Sequence, residues 1–215
     1  MTTQHPTTVS ADPVELAARI VAQLHGDDRF ILGVTGPPGT GKSTVVTAIA
    51  EALHPHRVVV VPMDGFHLAN TVIRGTPLEQ RKGAIDTFDA AGYAHLIGRL
   101  HQRDEAIVYA PSYVRAMEEP IAASIAVPWA VQIVITEGNY LLSTQPEWAQ
   151  ARAAMDQVWY LDTPDRLRLQ RLTDRHIDFG KTAEHAAAWA GGTDENNARA
   201  IARTRDRADL ILLGT

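Results

Sequence analysis

The chain has 215 residues, 45% of them hydrophobic and 21% charged, with a net charge of -5 and no cysteine. That size and balance suit one α/β domain with a full core. They exclude disulfides and cysteine-ligated zinc, and the acidic balance argues against a broad nucleic-acid footprint.

Residues 1–11 are polar and threonine-rich, without the basic start and apolar stretch of a secretory signal, and read as a disordered tail on a cytoplasmic protein. No apolar run is long enough to span a bilayer, so no membrane partner is expected. Residues 12–215 read as a single domain. Asp12 is a candidate N-cap, with Pro13 in the first turn and Glu15 placed for a capping box, opening a helix to His25. Phe30 to Thr35 is the first core strand, and a second helix reaches about Leu53. Arg57 to Pro62 holds four consecutive valines, as a buried parallel strand does. Residues 63–86, rich in Gly, Arg and Lys, look like a functional excursion from the core.

Ala90 to Gln102 reads as a helix. Ala106 to Ala110 and Ile121 to Val127 are strand candidates, an antiparallel pair outside the main sheet. Val131 to Thr136 and Gln157 to Leu161 are further core strands. Helices are expected over Pro164 to Phe179, ending near Gly180, over Thr182 to Ala190 and over Asp194 to Arg207. Asp209 to Leu213 is the last strand. Alternating strands and helices predict a mainly parallel sheet covered on both faces, an α/β fold of three α/β/α layers.

Gly36-Pro37-Pro38-Gly39-Thr40-Gly41-Lys42-Ser43 fits the phosphate-loop pattern G-x-x-x-x-G-K-[ST] at every fixed position. It lies between a strand and a helix, where the chemistry needs it. Glycines let backbone N–H groups turn toward phosphate oxygens, and the helix N-terminus adds partial positive charge. Lys42 would reach the β- and γ-phosphates of ATP, and Ser43, followed by Thr44, would join a Mg²⁺ shell.

The loop specifies a nucleotide, so the reaction must come from other residues. Asp64 follows the four-valine strand, whose carboxyl end would line the ligand crevice. From there it could accept a proton from an attacking hydroxyl; the alternative is a loop-capping aspartate. Glu137 ends an apolar strand where a Mg²⁺-holding acid would sit; the alternative is a surface carboxylate. Arg168, Arg171 and Arg175 are spaced by three and four residues and share a helical face. Arg171 and Arg175 are favoured as a lid that neutralises charge developing during transfer, against a solvated basic face. His67, Lys82, Asp86, Tyr113 and Arg115, with Asn139 after the Glu137 strand, are candidate contacts for a small-molecule acceptor. The nine histidines form no H-E-x-x-H metal motif. The four tryptophans read as packing residues rather than a base-stacking platform.

Taken in order, the loop, Pro62-Met63-Asp64-Gly65-Phe66-His67-Leu68, Arg81 to Asp89, Thr136-Glu137-Gly138-Asn139-Tyr140-Leu141-Leu142, Arg171 to His176 and Asp194 to Asp209 resemble the phosphoribulokinase/uridine kinase family. That family also holds bacterial pantothenate kinases. The resemblance is strongest to a bacterial branch of nucleoside or sugar kinases and covers nearly all of the chain after Ala11. It implies a P-loop NTPase fold with a helical lid and ATP-dependent transfer of the γ-phosphate to a hydroxyl. Asp64 would be the base, Glu137 would lie near Mg²⁺, and Arg171 and Arg175 would be borne on the lid. It also allows a homodimer. Residues 111–115 differ from the aromatic, histidine-bearing nucleobase pocket of uridine kinases. A nucleoside monophosphate kinase and a regulatory P-loop NTPase are the rival readings; no N-K-x-D base-reading motif of GTPases is present.

Overall fold

The computed structural model describes residues 5–178, 182–184 and 191–214. Its centre is a six-stranded sheet in the order β1-β8-β7-β2-β6-β3. The strands are β1 (Thr7–Ser10), β2 (Phe30–Thr35), β3 (Val58–Val60), β6 (Ile133–Gly138), β7 (Gln157–Asp162) and β8 (Leu210–Leu213). Every neighbouring pair in it is parallel. An all-parallel sheet needs cover on both faces, and the side chains divide accordingly. Ile31, Val134, Val158 and Tyr160 pack with α4 (Ala90–Gln102) and α5 (Pro146–Ala153). The alternate residues Leu32, Val34, Ile133, Ile135 and Leu161 pack with α1 (Pro13–Val21) and α2 (Lys42–Ala52). The period of two along each strand thus builds the two cores of a three-layer sandwich.

β2 is buried at every position and lies between β7 and β6. Its register with β6 sets Val34 beside Glu137 and Thr35 beside Gly138. Both strands therefore end together, and the phosphate loop leaves β2 at the edge where Glu137 leaves β6. β3 borders β6 on the other side, and the Val61 N–H continues that pairing to the Ile135 carbonyl at 2.8 Å. The chain then turns through a 3-10 helix, Met63–Phe66. Asp64 arrives at the same carboxyl edge, in the crevice where α/β folds bind ligands.

β4 (Ile107–Val114) and β5 (Glu119–Pro128) form a separate antiparallel ribbon. Among the described residues, no helix is long and apolar enough to cross a membrane.

Several elements differ from the sequence reading. Residues 7–10, read as part of a disordered tail, are β1, bonded in register to β8. The first helix stops at Val21 rather than His25, because Gln23 and Leu24 turn back on the carbonyls of Ile20 and Val21 and Gly26 takes φ 56°. α5 was not anticipated, although Pro146 at its start is a helix signal. The segment 63–86 is a chain of short turns around a single helical turn, α3 (Asn70–Ile73). α6 (Asp165–Asp178) carries the arginine row, and the last helix, α7 (Thr193–Ala202), gives way to a 3-10 turn at Arg205–Arg207. The helix end near Gly180 and residues 185–190 of the helix expected over Thr182 to Ala190 lie outside the described residues.

Candidate active site

The phosphate loop is shaped by backbone and held from behind. Gly39 and Gly41 have φ of 83° and 92°, a region L side chains avoid. A Cβ on Gly39 would also collide with the Arg168 carbonyl of α6. The Thr40 hydroxyl donates to the Pro37 carbonyl at 2.9 Å, and the Thr163 hydroxyl donates to the Thr40 carbonyl at 3.0 Å. Lys42 opens α2 and is only 9% exposed. Its Nζ donates to the loop carbonyls of Gly36 at 2.8 Å and Pro37 at 3.1 Å. Burial pushes this ammonium down to about 8, while the charges of Glu137 and Asp64 act against the shift.

The residues present fit a Mg²⁺-bound triphosphate. The Ser43 hydroxyl donates to Glu137 Oε1 at 2.6 Å, so hydroxyl and carboxylate converge on one point beside Lys42. Burial raises the Glu137 carboxyl and Lys42 opposes the rise; a cation placed there would relieve it. Mg²⁺ is commonly held by one or two protein groups, with phosphates and waters completing its shell. Ser43 and Glu137 would hold it, and its chemistry would be to neutralise charge on the phosphates.

These groups open onto a cavity of about 820 Å³. Pro38, Gly39, Gly41, Lys42, Ser43 and Thr44 of the phosphate loop line it together with Asp64, Glu137, Asn139, Arg171 and Arg175. His67, Lys82, Tyr113 and Arg115 are also on its wall. Asp64 meets Arg115 at 3.4 Å. His67 Nδ1 lies 2.8 Å from the Asp64 carbonyl. A carbonyl only accepts, so Nδ1 carries the proton. Burial lowers the His67 pKa, which leaves the ring neutral with Nε2 as an acceptor. The ring packs between Phe88, at 4.1 Å between centroids, and Tyr113, at 4.6 Å, tilted 42° and 40° to them. An aromatic, histidine-bearing wall therefore exists, assembled from three distant segments rather than from residues 111–115 alone.

The arginine row divides. Arg171 and Arg175 line the cavity, and burial lowers the Arg175 pKa, with neighbouring Arg115 acting in the same direction. Arg168 is 1% exposed and turned away. Its guanidinium donates to the Pro38 carbonyl at 3.4 Å, Asp165 at 3.1 Å and Glu195 of α7 at 2.6 Å. It fastens α6 to the phosphate loop.

Some expected contacts are elsewhere. Asp86 is not on the cavity wall: the 3-10 turn Ile85–Thr87 directs its carboxylate to Arg81, and the two form an exposed ion pair. Gly36, Pro37 and Thr40 support the loop from within and do not face the cavity. Trp148 and Trp159 are buried packing residues, and Trp129 is half exposed under the Arg103 guanidinium at 4.2 Å; Trp189 lies outside the described residues. Sequence reasoning missed Asn70, Arg74, Phe88, Asp194 and Asn197 on the wall. For Asn70 and Arg74 the signal was their place in the excursion between a core strand and the next long helix.

Fold and site together define a P-loop kinase, and the comparisons agree. A family model described as "ATPase family associated with various cellular activities (AAA)" matches residues 32–99. A Schizosaccharomyces pombe protein provisionally named a uridine kinase is 31% identical, the match covering 92% of this chain and 88% of that one. A pantothenate kinase of Rhizobium leguminosarum is 27% identical over 85% of this chain and 64% of its own length. Among solved structures, a kinase provisionally assigned to a fructose transport system, from Silicibacter sp. TM1040, superposes with a TM-score of 0.85 at 36% identity, covering 93% of this chain and 98% of that one. The chain belongs to the phosphoribulokinase/uridine kinase family of ATP-dependent P-loop kinases.

Proposed function

We propose that the protein transfers the γ-phosphate of ATP to a hydroxyl of a small acceptor, a nucleoside, sugar or pantothenate-like compound. The observation that carries this reading is the single cavity running from Lys42 and Ser43 past Asp64 to the His67–Tyr113 wall. A switch that only hydrolyses ATP has no use for a polar chamber beyond its base.

ATP would lie with its phosphates against the loop amides and Lys42. The acceptor hydroxyl would sit between Asp64 and the γ-phosphate. Asp64 orients that hydroxyl and takes its proton as the new O–P bond forms and the bond to the β-phosphate oxygen breaks. Arg171 and Arg175 neutralise the charge that develops on the transferring group. Little else is asked of the protein, since catalysis of this kind is mostly positioning in a site that excludes water.

The test is ADP release with and without a panel of hydroxyl compounds. Strong stimulation by one compound, with a phosphorylated product, supports the reading. Acceptor-independent ATP turnover would favour a regulatory NTPase, and stimulation by nucleoside monophosphates alone would favour a monophosphate kinase.

A further inference from the structure

We infer that Gly65 is a positioning residue for the transfer: it lets the ribbon strand β4 close onto the turn that carries Asp64, and β4 thereby sets where that carboxylate stands. The inference rests on the kinase reading above, in which Asp64 orients the acceptor hydroxyl.

The turn Met63–Phe66 is packed through the residues on either side of Asp64. Met63 is fully buried and occupies space that a side chain on Gly138 would need: a Cβ there would come within 2.5 Å of the Met63 Cβ. Gly138 ends β6, next to Glu137. Gly65 is buried against the ribbon, and a Cβ on it would lie 2.4 Å from the Pro111 carbonyl oxygen. Neither glycine has a positive φ, so both are needed for space and not for backbone conformation. The turn is held against β6 through Met63 and against β4 through Gly65, with Asp64 between them in the chain.

The shape of the ribbon serves this contact. Its register slips between Ala110 and Ser112, and Pro111 stands at the slip, outside the ladder. Irregularities of this kind bend a strand and re-aim its groups, here the Pro111 carbonyl. The next alternate residues share its face. Tyr113 packs on His67, 4.6 Å between centroids, and Arg115, just past the end of β4, reaches Asp64 at 3.4 Å. Pro111, Tyr113 and Arg115 thus grip Gly65, His67 and Asp64. Ordinary contact begins near 3.4 Å, so one methyl group on Gly65 would part turn and strand by about 1 Å. Lys42 and Ser43 are carried by another element, α2, and are not part of that grip.

The experiment is Gly65→Ala, made alone and together with Asp64→Asn. Transfer is measured with whichever of uridine, fructose, ribose and pantothenate most stimulates ADP release, the phosphorylated product being detected directly. ATP binding is measured by calorimetry with a non-hydrolysable analogue. Gly65→Ala should lower kcat by roughly tenfold to hundredfold, the size that a misplacement of about 1 Å can produce. Affinity for the ATP analogue should stay within a few-fold. In the Asp64→Asn background the same change should cost almost nothing more, because the two residues act as a unit. Arg115→Met loosens the grip without overfilling it and carries the test if Gly65→Ala does not fold. Its fall in kcat should be smaller and should also vanish in Asp64→Asn, whereas a residue that only bound the acceptor would still raise KM there. An unchanged kcat in Gly65→Ala, or losses that add in full to that of Asp64→Asn, overturns the inference and leaves the kinase reading intact. A parallel fall in kcat, ATP affinity and melting temperature overturns it too, since that is the signature of a purely structural role. ATP turnover that none of these compounds stimulates overturns the kinase reading, and this inference with it.

Discussion

At the scale of single residues, the site is governed by what burial does to charge. Asp64 is positioned by a turn and by strand register, and its side-chain contact with Arg115, at 3.4 Å, is partly exposed, so it can be altered without disturbing the fold. Asp64→Asn should keep ATP affinity, measured by calorimetry with a non-hydrolysable analogue, while phosphoryl transfer falls by about 10² to 10⁴. Equal loss of both would mean a structural role. Lys42 makes a second prediction through its proton. Burial brings the free-enzyme ammonium down to about 8. Bound phosphates favour the charged form and raise that value. Well below pH 8 the lysine is already charged and binding takes up no proton at this group; above it, binding must protonate it. ATP affinity should therefore weaken as pH climbs past 8, by up to tenfold per unit. Calorimetry at pH 8.5 in buffers of different ionisation enthalpy should show net proton uptake, and Lys42→Met should abolish it.

At the scale of elements, α6 has two jobs along its length. Its first turns are fixed: Arg168 joins α7 to the phosphate loop through Glu195 and the Pro38 carbonyl. Any closing movement must therefore start beyond that anchor, toward Arg171 and Arg175. Arg175→Ala should lower kcat by about tenfold or more while ATP affinity changes only a few-fold, because the charge it meets develops in the transition state. Unchanged kcat in both Arg171→Ala and Arg175→Ala would return these residues to a solvated face. β1 offers a test of a different kind. It is four residues long, sits at the sheet edge on β8, and Val9 packs on the α1/α2 side of the core. Removing residues 1–10 should cost about 1–3 kcal/mol, chiefly from that lost burial and pairing. The melting temperature should drop by roughly 3–10 °C, with KM for ATP unchanged.

At the scale of the whole molecule, the layers are tied together by one buried cation distant from the cavity. Arg29, 7% exposed just before β2, donates to four carbonyls: Val131 at 2.9 Å, Leu100 at 3.1 Å, Pro128 at 3.0 Å and Trp129 at 3.3 Å. These lie at the end of α4, the end of β5 and the approach to β6. One guanidinium thereby joins the central strand, a covering helix and the ribbon. Burial lowers its pKa, with Arg103 adding to the effect. Arg29→Met would fill the space but leave the carbonyls without a donor. It should cost about 3 kcal/mol or more in urea unfolding, whereas Arg29→Lys should recover part of it.

Much of this was legible in the chain itself. The phosphate loop, β2 and α4 lie where spacing and apolar period put them, because a phosphate loop and an amphipathic helix are specified by neighbours within a few residues. Asp64 and Glu137 could be named because each stands at or just past the carboxyl end of an apolar strand, and strand ends in a parallel sheet share one edge. Only the tertiary structure decided the rest. Whether residues 7–10 are a tail or a strand depends on β8, some two hundred residues away. Arg168 and Arg171 look alike in sequence, yet one is sealed against Pro38 and Glu195 and the other faces the cavity. His67, Phe88 and Tyr113 become one aromatic wall, and Asp86 turns from it to Arg81, through packing between separate segments. Local periodicity tells a residue which face of its own element it occupies; what lies opposite that face is set by the topology of the whole sheet.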